Sequence, residues 1–155
     1  MFAALFPKAN FRMRPTGPKF IVVHHTETKS PESTFAILKS RGLSTHFEVD
    51  RTGKVHQYLD PGQHWAMHSG WMNRFSIGID VTHYGSQEFT PEQVQAVVEL
   101  VTKLCKDWNI PQVVAPDKQL YAGLVDLPKG AGIFRHRNVA KTICPAGFPM
   151  EKLNA

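Results

Sequence analysis

Residue types that bind metal ions stand near both ends of this chain. His24 and His25 close an apolar run, and His136 and Cys144 lie close together near the other end. Imidazole nitrogen and thiolate sulfur are ligands that zinc prefers, and three protein ligands beside a water molecule are typical of a catalytic zinc site. The alternative is a set of surface histidines and an unrelated cysteine. One histidine of the pair, together with His136 and Cys144, predicts a site for metal-assisted hydrolysis.

The apolar run before the two histidines predicts a buried central strand over residues 20–26, because its side chains are apolar or β-branched on both faces. Successive side chains of a strand point to opposite faces, so His24 and His25 cannot both reach one metal ion. One of them is expected to be a ligand and the other its neighbour. A Pro-Ala-Gly turn over residues 145–147 could fold the thiol of Cys144 back toward His136.

Hydrophobic periodicity predicts further strands and helices, which together indicate an α/β fold. The further strands are predicted over residues 46–50, 54–59, 76–82 and 132–136. Helices are predicted over residues 31–42 and 91–109, the second begun by a capping box of Thr90 and Gln93. Because 155 residues can bury one core without disulfides, we expect a single domain over residues 1–155.

Three segments show no clean period. Residues 63–73 are rich in aromatic and hydrogen-bonding groups, and residues 111–132 contain several prolines and glycines, so both are expected to be irregular. Residues 1–19 also contain several prolines, which predicts an extended arm that lies on the domain.

The strand over residues 76–82 alternates between apolar side chains and small or polar ones. The apolar set is expected to face the core, whereas Gly78 and Asp80 face the other way. Gly78 leaves room for another group to approach that second face. Asp80 therefore stands on a surface that could be functional, although an aspartate near a strand end is often only solvated.

The composition favours a globular protein with anionic partners. Eighteen Lys and Arg residues against thirteen Asp and Glu residues give a formal charge of +5, which suits nucleic acid, anionic lipid or acidic cell-wall polymers. No basic block occurs, nor a helix face that mixes basic and aromatic residues, so we expect no nucleic-acid partner. Cys105 and Cys144 are too few for a disulfide framework, and free thiols are expected.

The N-terminal residues lack the features of a signal peptide, because no basic residue precedes the short apolar run and Pro7 interrupts it. No apolar run in the sequence approaches the length that crosses a bilayer. We therefore expect no stable membrane insertion and a product that starts in the cytoplasm.

Five segments of the chain resemble one family of enzymes. They are residues 22–26 (VVHHT), 44–53 (STHFEVDRTG), 64–70 (HWAMHSG), 73–80 (NRFSIGID) and 136–147 (HRNVAKTICPAG). In this order they look like the zinc-dependent N-acetylmuramoyl-L-alanine amidases, whose fold is shared by peptidoglycan recognition proteins and phage lysozyme-amidases. No single segment is decisive, but the five in register are specific.

The resemblance implies a mixed central sheet flanked by helices, with a metal site in a groove on one face. It implies that His24, His136 and Cys144 bind one zinc ion per chain, and that His25 points away. The implied substrate is peptidoglycan or a muropeptide, cut at the amide bond between N-acetylmuramic acid and L-alanine. Zinc in such a site polarises the carbonyl group and lowers the pKa of its water.

The resemblance also suggests residues that assist catalysis. Many relatives have Tyr at the position of Thr45, and some have Lys at the position of Thr142, where others have Thr. Certain bacterial relatives have Glu at the position of Asp80. We expect Asp80 to act as general base or to orient water and Thr142 to donate to the oxyanion, while Thr45 replaces the tyrosine as a much weaker acid.

Candidates for substrate binding follow from the same resemblance. His68 and Asn73 match positions that line the muropeptide groove of the family. His46 and Trp65 lie in the matching segments and are further candidates.

Other functions stay open at this point. Some family members bind peptidoglycan without cutting it, but they typically lack the cysteine ligand that Cys144 supplies here. A zinc hydrolase that cuts a different bond is a second alternative. We expect a monomeric enzyme of phage endolysin type that acts on the cell wall; a cytoplasmic enzyme that recycles muropeptides is the alternative setting.

Overall fold

A computed structural model describes residues 6–120 and 123–155 and shows a five-stranded sheet with helices on both faces. The strands are β1 (Phe11–Met13), β2 (Phe20–His25), β3 (Phe47–Val49), β4 (Val55–Gln57), β5 (His64–Ala66), β6 (Ser76–Val81) and β7 (Ile133–Arg135). The helices are α1 (Pro31–Ser40), α2 (Pro91–Trp108) and α3 (His136–Val139), with short 3-10 helices at Lys8–Asn10, Gly70–Phe75, Gly123–Asp126 and Met150–Leu153. The α/β fold predicted from the sequence is confirmed.

The central sheet has the strand order β4-β3-β6-β2-β7. β3, β6, β2 and β7 run parallel, and β4 pairs with β3 in the antiparallel sense at one edge. The sheet is therefore mixed, as the resemblance implied. Because β2 lies between β6 and β7, the carboxyl ends of these three parallel strands meet at one edge of the sheet.

The two faces of the sheet bury different side chains, as strand alternation predicts. On one face, α2 covers a core that includes Val23 of β2. On the opposite face, Val22 belongs to a separate apolar cluster that includes Met72. His24 shares the face of Val22, and His25 shares the face of Val23. The two histidines therefore point to opposite sides of the sheet.

The start and end of α2 follow the predicted signals. Thr90 Oγ1 accepts from the backbone N–H of Gln93 at 3.1 Å, and the side chain of Gln93 accepts from the backbone N–H of Thr90 at 3.0 Å. Asn109 ends the helix in the left-handed conformation, with φ 53°. Gln93 is buried, and its Nε2 donates to the carbonyl oxygen of Thr82 at 2.7 Å. The start of α2 is thereby fixed to the end of β6.

The prediction that residues 63–73 are irregular was wrong for part of the segment. Residues 64–66 form β5, which pairs with β1 of the N-terminal arm. A strand of three residues shows no readable period, and its partner lies far away in the sequence. The arm is thus part of a small second sheet, and its first five residues lie outside the described part of the chain.

Residues 111–132, which precede β7, agree better with the prediction of an irregular segment. The described residues of 111–132 are mostly irregular, apart from the 3-10 helix Gly123–Asp126 and a bridge between Val114 and Ile133. The predicted strand 132–136 is shorter than expected, because β7 ends at Arg135 and His136 begins α3. Cys105 and Cys144 are both free, as expected, and both are buried.

Thr90→Ala tests the capping box of α2. The variant is expected to lose about 1 kcal/mol of unfolding free energy, because the helix start loses the oxygen that accepts from Gln93. Thr90→Ser keeps that oxygen and is expected to lose clearly less. Urea denaturation followed by circular dichroism measures both losses. Equal losses would show that the capping oxygen contributes nothing to this helix.

Candidate active site

Side chains that can bind a metal ion or transfer a proton lie together at the carboxyl ends of three parallel strands. His24 is next to last in β2, Asp80 is next to last in β6, and His136 follows β7 directly. The register of β2 and β6 places His24 beside Asp80. Ligand sites of parallel α/β sheets lie outside the carboxyl ends of the strands. The topology thus brings three distant parts of the chain to one place.

His24, His136 and Cys144 come together in the fold. One ligand atom from each lies within 4.8 Å of the others, and the ring centroids of His24 and His136 are 4.4 Å apart. His24 and Cys144 are each only 6% exposed. The backbone N–H of His25 donates to Sγ of Cys144 at 3.1 Å. Two imidazoles and one thiol therefore form a buried group that could hold a metal ion.

Burial sets the protonation of these groups. It lowers the pKa of His24 well below its usual value, an effect to which His136 and His68 add. Burial likewise lowers the pKa of His136, so both imidazoles are neutral at pH 7, the form that binds metal. Burial raises the pKa of Cys144 to about 12, against the effect of the His25 N–H. The thiolate form therefore requires a cation beside it.

His68 orders the ring of His24. Nδ1 of His68 lies 2.9 Å from Nε2 of His24, and Nε2 of His68 lies 3.1 Å from the hydroxyl oxygen of Ser76. Gly78 explains how His68 can approach, because a Cβ at that position would lie 2.8 Å from Nδ1 of His68. The space that the sequence predicted beside Gly78 is thus occupied by His68, whose ring contacts and orients the ring of His24.

Asp80 lies beside His24 and is only 7% exposed. Burial and the nearby Glu48 raise the pKa of Asp80 well above its usual value, and a hydrogen bond from the Thr45 side chain acts in the opposite direction. Thr45 is itself fully buried. Its hydroxyl donates to the carbonyl oxygen of Phe47 at 3.4 Å and lies near Asp80 inside the protein, whereas the sequence suggested a weak acid near the substrate.

Glu48, to which the sequence assigned no role, lies next to Asp80. The pairing of β3 with β6 sets the two residues side by side. The carboxylate of Glu48 accepts hydrogen bonds from the hydroxyls of Thr34, Thr82 and Tyr58 at 2.9, 2.7 and 2.9 Å. Burial nevertheless raises the pKa of Glu48. The alternation of β3 placed Glu48 on its polar face, and this was the one sequence signal that could have drawn attention to it.

Two other predicted site residues support loops. Oγ1 of the exposed Thr142 accepts from the backbone N–H of Cys144 at 3.2 Å, which leaves the hydroxyl hydrogen to donate elsewhere. Oδ1 of Asn73 accepts from the backbone N–H groups of His68 and Ser69 at 2.9 and 2.6 Å. Asn73 therefore holds the loop that carries His68, and its effect on the site is exerted through the position of His68.

His46 and Trp65, which the sequence suggested for substrate binding, are not among the residues that line the cavity at the site. His46 has no exposed surface, and burial lowers its pKa to about 3. Nδ1 of His46 accepts from the N–H of Gly78 at 3.0 Å, so Nε2 donates to the carbonyl oxygen of His64 at 2.8 Å. An enclosed ring with both nitrogens bonded has no surface for a substrate. Trp65 is half-buried in β5, beside the arm.

A cavity of about 370 Å³ opens at this site. It is of the size that binds small ligands. One part of its lining comes from the strand ends and the segment of His68, and the other part comes from α1 and the residues after it. The described lining includes His24, His68, Asp80 and His136 in the first part and Thr34, Ile37, Leu38 and Arg41 in the second.

Gly78→Ala tests the packing of His68 against β6. The variant is expected to lose about 1–3 kcal/mol of unfolding free energy, because the new methyl group would displace the ring of His68 from His24. Gly17→Ala is the control, since a Cβ there would meet Trp108 at 3.4 Å. Thermal unfolding and the NMR signals of the histidine rings measure the two effects. Unchanged His24 and His68 signals would contradict this packing.

Sequence comparison connects this geometry with known proteins. The family model described as N-acetylmuramoyl-L-alanine amidase matches residues 13–147. A curated protein of Rickettsia conorii (strain ATCC VR-613 / Malish 7), provisionally named N-acetylmuramoyl-L-alanine amidase, is 26% identical over 98 residues, which cover 57% of this chain. The match covers 37% of that relative, so the chain spans little more than a third of its length.

Solved structures share the fold. The endolysin N-acetylmuramoyl-L-alanine amidase LysCS from Clostridium intestinale URNW has a TM-score of 0.74 at 22% identity, covering 98% of this chain and 91% of that one. The Ph2119 endolysin from the Thermus scotoductus MAT2119 bacteriophage Ph2119 has a TM-score of 0.67 at 22% identity, covering 94% and 90%. Because the family model spans most of the sequence, the chain belongs to the N-acetylmuramoyl-L-alanine amidase family.

Proposed function

We propose that this chain is a zinc-dependent peptidoglycan hydrolase that cleaves the amide bond between N-acetylmuramic acid and L-alanine of the stem peptide. The observation that carries the proposal is the convergence of His24, His136 and Cys144, whose ligand atoms lie within 4.8 Å of one another. His24 and His136 also line the cavity at the site. Family membership supplies the class of bond.

Zinc fits this group of side chains. Two neutral imidazoles and a thiolate suit a borderline metal ion, whereas magnesium and calcium prefer oxygen ligands. Three protein ligands leave a position open for reactants, unlike the four ligands of a closed structural site. When bound, zinc would polarise the scissile carbonyl group and activate a water molecule for attack. The cation would also stabilise the thiolate of Cys144, which burial alone disfavours.

Asp80 is the proposed general base. Its carboxyl group lines the cavity beside His24, where it can take a proton from the attacking water and pass it to the leaving nitrogen of L-alanine. Aspartate is one methylene shorter than glutamate, so Asp80 must lie close to the water or act through a second one. Thr45 and Glu48 border Asp80 inside the protein, and we assign them to its positioning.

Thr142 is the proposed donor to the oxyanion. Its hydroxyl oxygen accepts from the N–H of Cys144, which directs the hydroxyl hydrogen away from that amide. A hydrogen bond from this group to the developing negative charge would stabilise the transition state. His68, which lines the cavity, is the substrate-binding candidate that the geometry supports best, and it also orders His24.

The proposed setting is that of a phage-type endolysin, a monomer that acts on the cell wall. The charge of +5 would assist the approach to anionic wall polymers. None of the helices in the described part of the chain combines the length and the hydropathy that a bilayer crossing needs. A cytoplasmic muropeptide-recycling amidase is the alternative, and a higher rate on soluble muropeptides than on intact wall would favour it.

Digestion of purified peptidoglycan tests the proposed function. The protein is expected to expose new alanine amino groups, and mass spectra of the products should show free stem peptides and uncut glycan chains. A zinc chelator should abolish the release and added zinc should restore it, and Cys144→Ser should be inactive at the same zinc concentration. Release that does not depend on zinc, or products cut elsewhere in the stem, would contradict the proposal.

Asp80→Asn tests the general base. The variant is expected to lose about 10²–10⁴-fold in kcat, because the amide cannot accept the proton, while its zinc content stays unchanged. Asp107→Asn is the control, since Asp107 is an exposed residue of α2 far from the cavity. Steady-state kinetics on a muropeptide and metal analysis supply both readouts. Activity near that of the wild type would remove Asp80 from the mechanism.

A further inference from the structure

A second group of potential metal ligands lies on the opposite face of the sheet. His25, Glu27 and His83 bring one ligand atom each within 4.8 Å of one another. Glu27 follows β2 and His83 follows β6, so this group also lies at the carboxyl ends of neighbouring parallel strands. No other potential metal ligand adjoins His83 in the sequence, and only the register of β2 and β6 reveals its neighbours in the fold.

The hydrogen bonds of His83 direct a lone pair at a carboxylate. Nε2 of His83 lies 2.9 Å from the carbonyl oxygen of Gln87, an atom that can only accept, so Nε2 carries a proton. In the neutral ring, Nδ1 then has a lone pair, and it lies 3.3 Å from Oε1 of Glu27. The lone pair and the ionised carboxylate repel each other. A cation between them, or a second proton on the ring, removes this repulsion.

Glu27 is held in place by further contacts. Its Oε2 accepts from the backbone N–H of Gly85 at 3.2 Å. Burial acts to raise the pKa of Glu27, but the hydrogen bond from Gly85 acts to lower it. Nε2 of His25 lies 3.7 Å from the same Oε1 that faces His83. One carboxylate oxygen therefore faces two imidazole nitrogens.

The group opens to solvent through a groove of about 940 Å³ between these residues and α2. The side chain of Glu27 is 57% exposed, whereas those of His25 and His83 are each 8% exposed. An ion could therefore enter from the side of Glu27. The imidazoles form the protected wall of the site and would lose little hydration when it binds.

We propose that His25, Glu27 and His83 bind a second transition-metal ion of the zinc type. Two imidazoles and one carboxylate, with room for water, form a ligand set that zinc accepts. The bond from His83 to the carbonyl oxygen of Gln87 is of the kind that orients a metal-binding histidine from its far side. The two rings are parallel within 2°, so one of them must tilt for both lone pairs to reach one ion.

The second ion would connect the two faces of β2. It would bind the side chain of His25, while the backbone N–H of the same residue donates to Sγ of Cys144. It would also tie together the segments that follow β2 and β6. The role of the second ion would be structural. It would restrain the peptide group of His25 beside the first metal site and would take no part in a reaction.

Titration with Co²⁺ separates the two sites, because a thiolate ligand adds a charge-transfer band that histidine and carboxylate ligands lack. In the wild type, the thiolate band is expected to saturate at about one Co²⁺ per chain while the bound metal rises to about two. In His83→Gln and in Glu27→Gln, both should saturate together at about one. His64→Gln, which changes a half-buried histidine of β5, is the control and should match the wild type.

Glu27→Gln alters an exposed side chain, so this variant reports on the site even where His83→Gln perturbs folding, which circular dichroism detects. The same bound metal in the wild type and in Glu27→Gln would overturn the proposal and would mean that a proton resolves the contact of Glu27 with His83. The thiolate band reports on Cys144 separately. Failure of the first site and failure of the second are therefore distinguishable.

Discussion

The register of β2 is the constraint on which both candidate metal sites depend. The strand lies in the middle of the sheet, paired with β6 and β7, and its last two residues are His24 and His25. A slip of one residue would exchange the two histidines between the faces. Because the residues before them are apolar on both faces, burial alone does not fix this register. The polar contacts at the strand end, from His68 to His24 and from Cys144 to the His25 N–H, distinguish the two arrangements.

At the first site, burial disfavours the charged form of each group. The pKa values of His24 and His136 are lowered, and those of Cys144 and Asp80 are raised. An unpaired buried charge costs several kcal/mol, which is the physical cause of these four shifts. A bound cation changes that balance, because it favours the thiolate and the carboxylate together. Metal binding and the ionisation of the catalytic carboxyl group are thus linked in the proposed mechanism.

The sequence was most informative where the signal is local. The apolar run of β2 and the capping box of Thr90 and Gln93 each occupy a few consecutive residues, and both were predicted correctly. The fold and the family followed from five short motifs in register. That His24 and not His25 faces His136 could be expected only from the resemblance, since alternation alone left the choice open.

The features that the sequence did not reveal depend on partners far along the chain. β5 is too short for a period and exists because β1 pairs with it. His46 was a candidate for substrate binding in the sequence, yet it is enclosed and accepts a hydrogen bond from Gly78 on the neighbouring strand. Glu48 and His83 acquire their neighbours only through strand register. Periodicity can assign such a polar residue to a face of a strand, but it does not identify the residue's neighbours, so the structure is needed to place them.

X-ray absorption at the zinc edge tests most directly whether His24, His136 and Cys144 form the catalytic metal site. The zinc-loaded His83→Gln variant is the suitable sample, because it removes the proposed second site. We expect a sulfur neighbour at about 2.3 Å together with nitrogen or oxygen neighbours at about 2.0–2.1 Å. A bound zinc ion without a sulfur neighbour would contradict the assignment of Cys144 and the mechanism built on it.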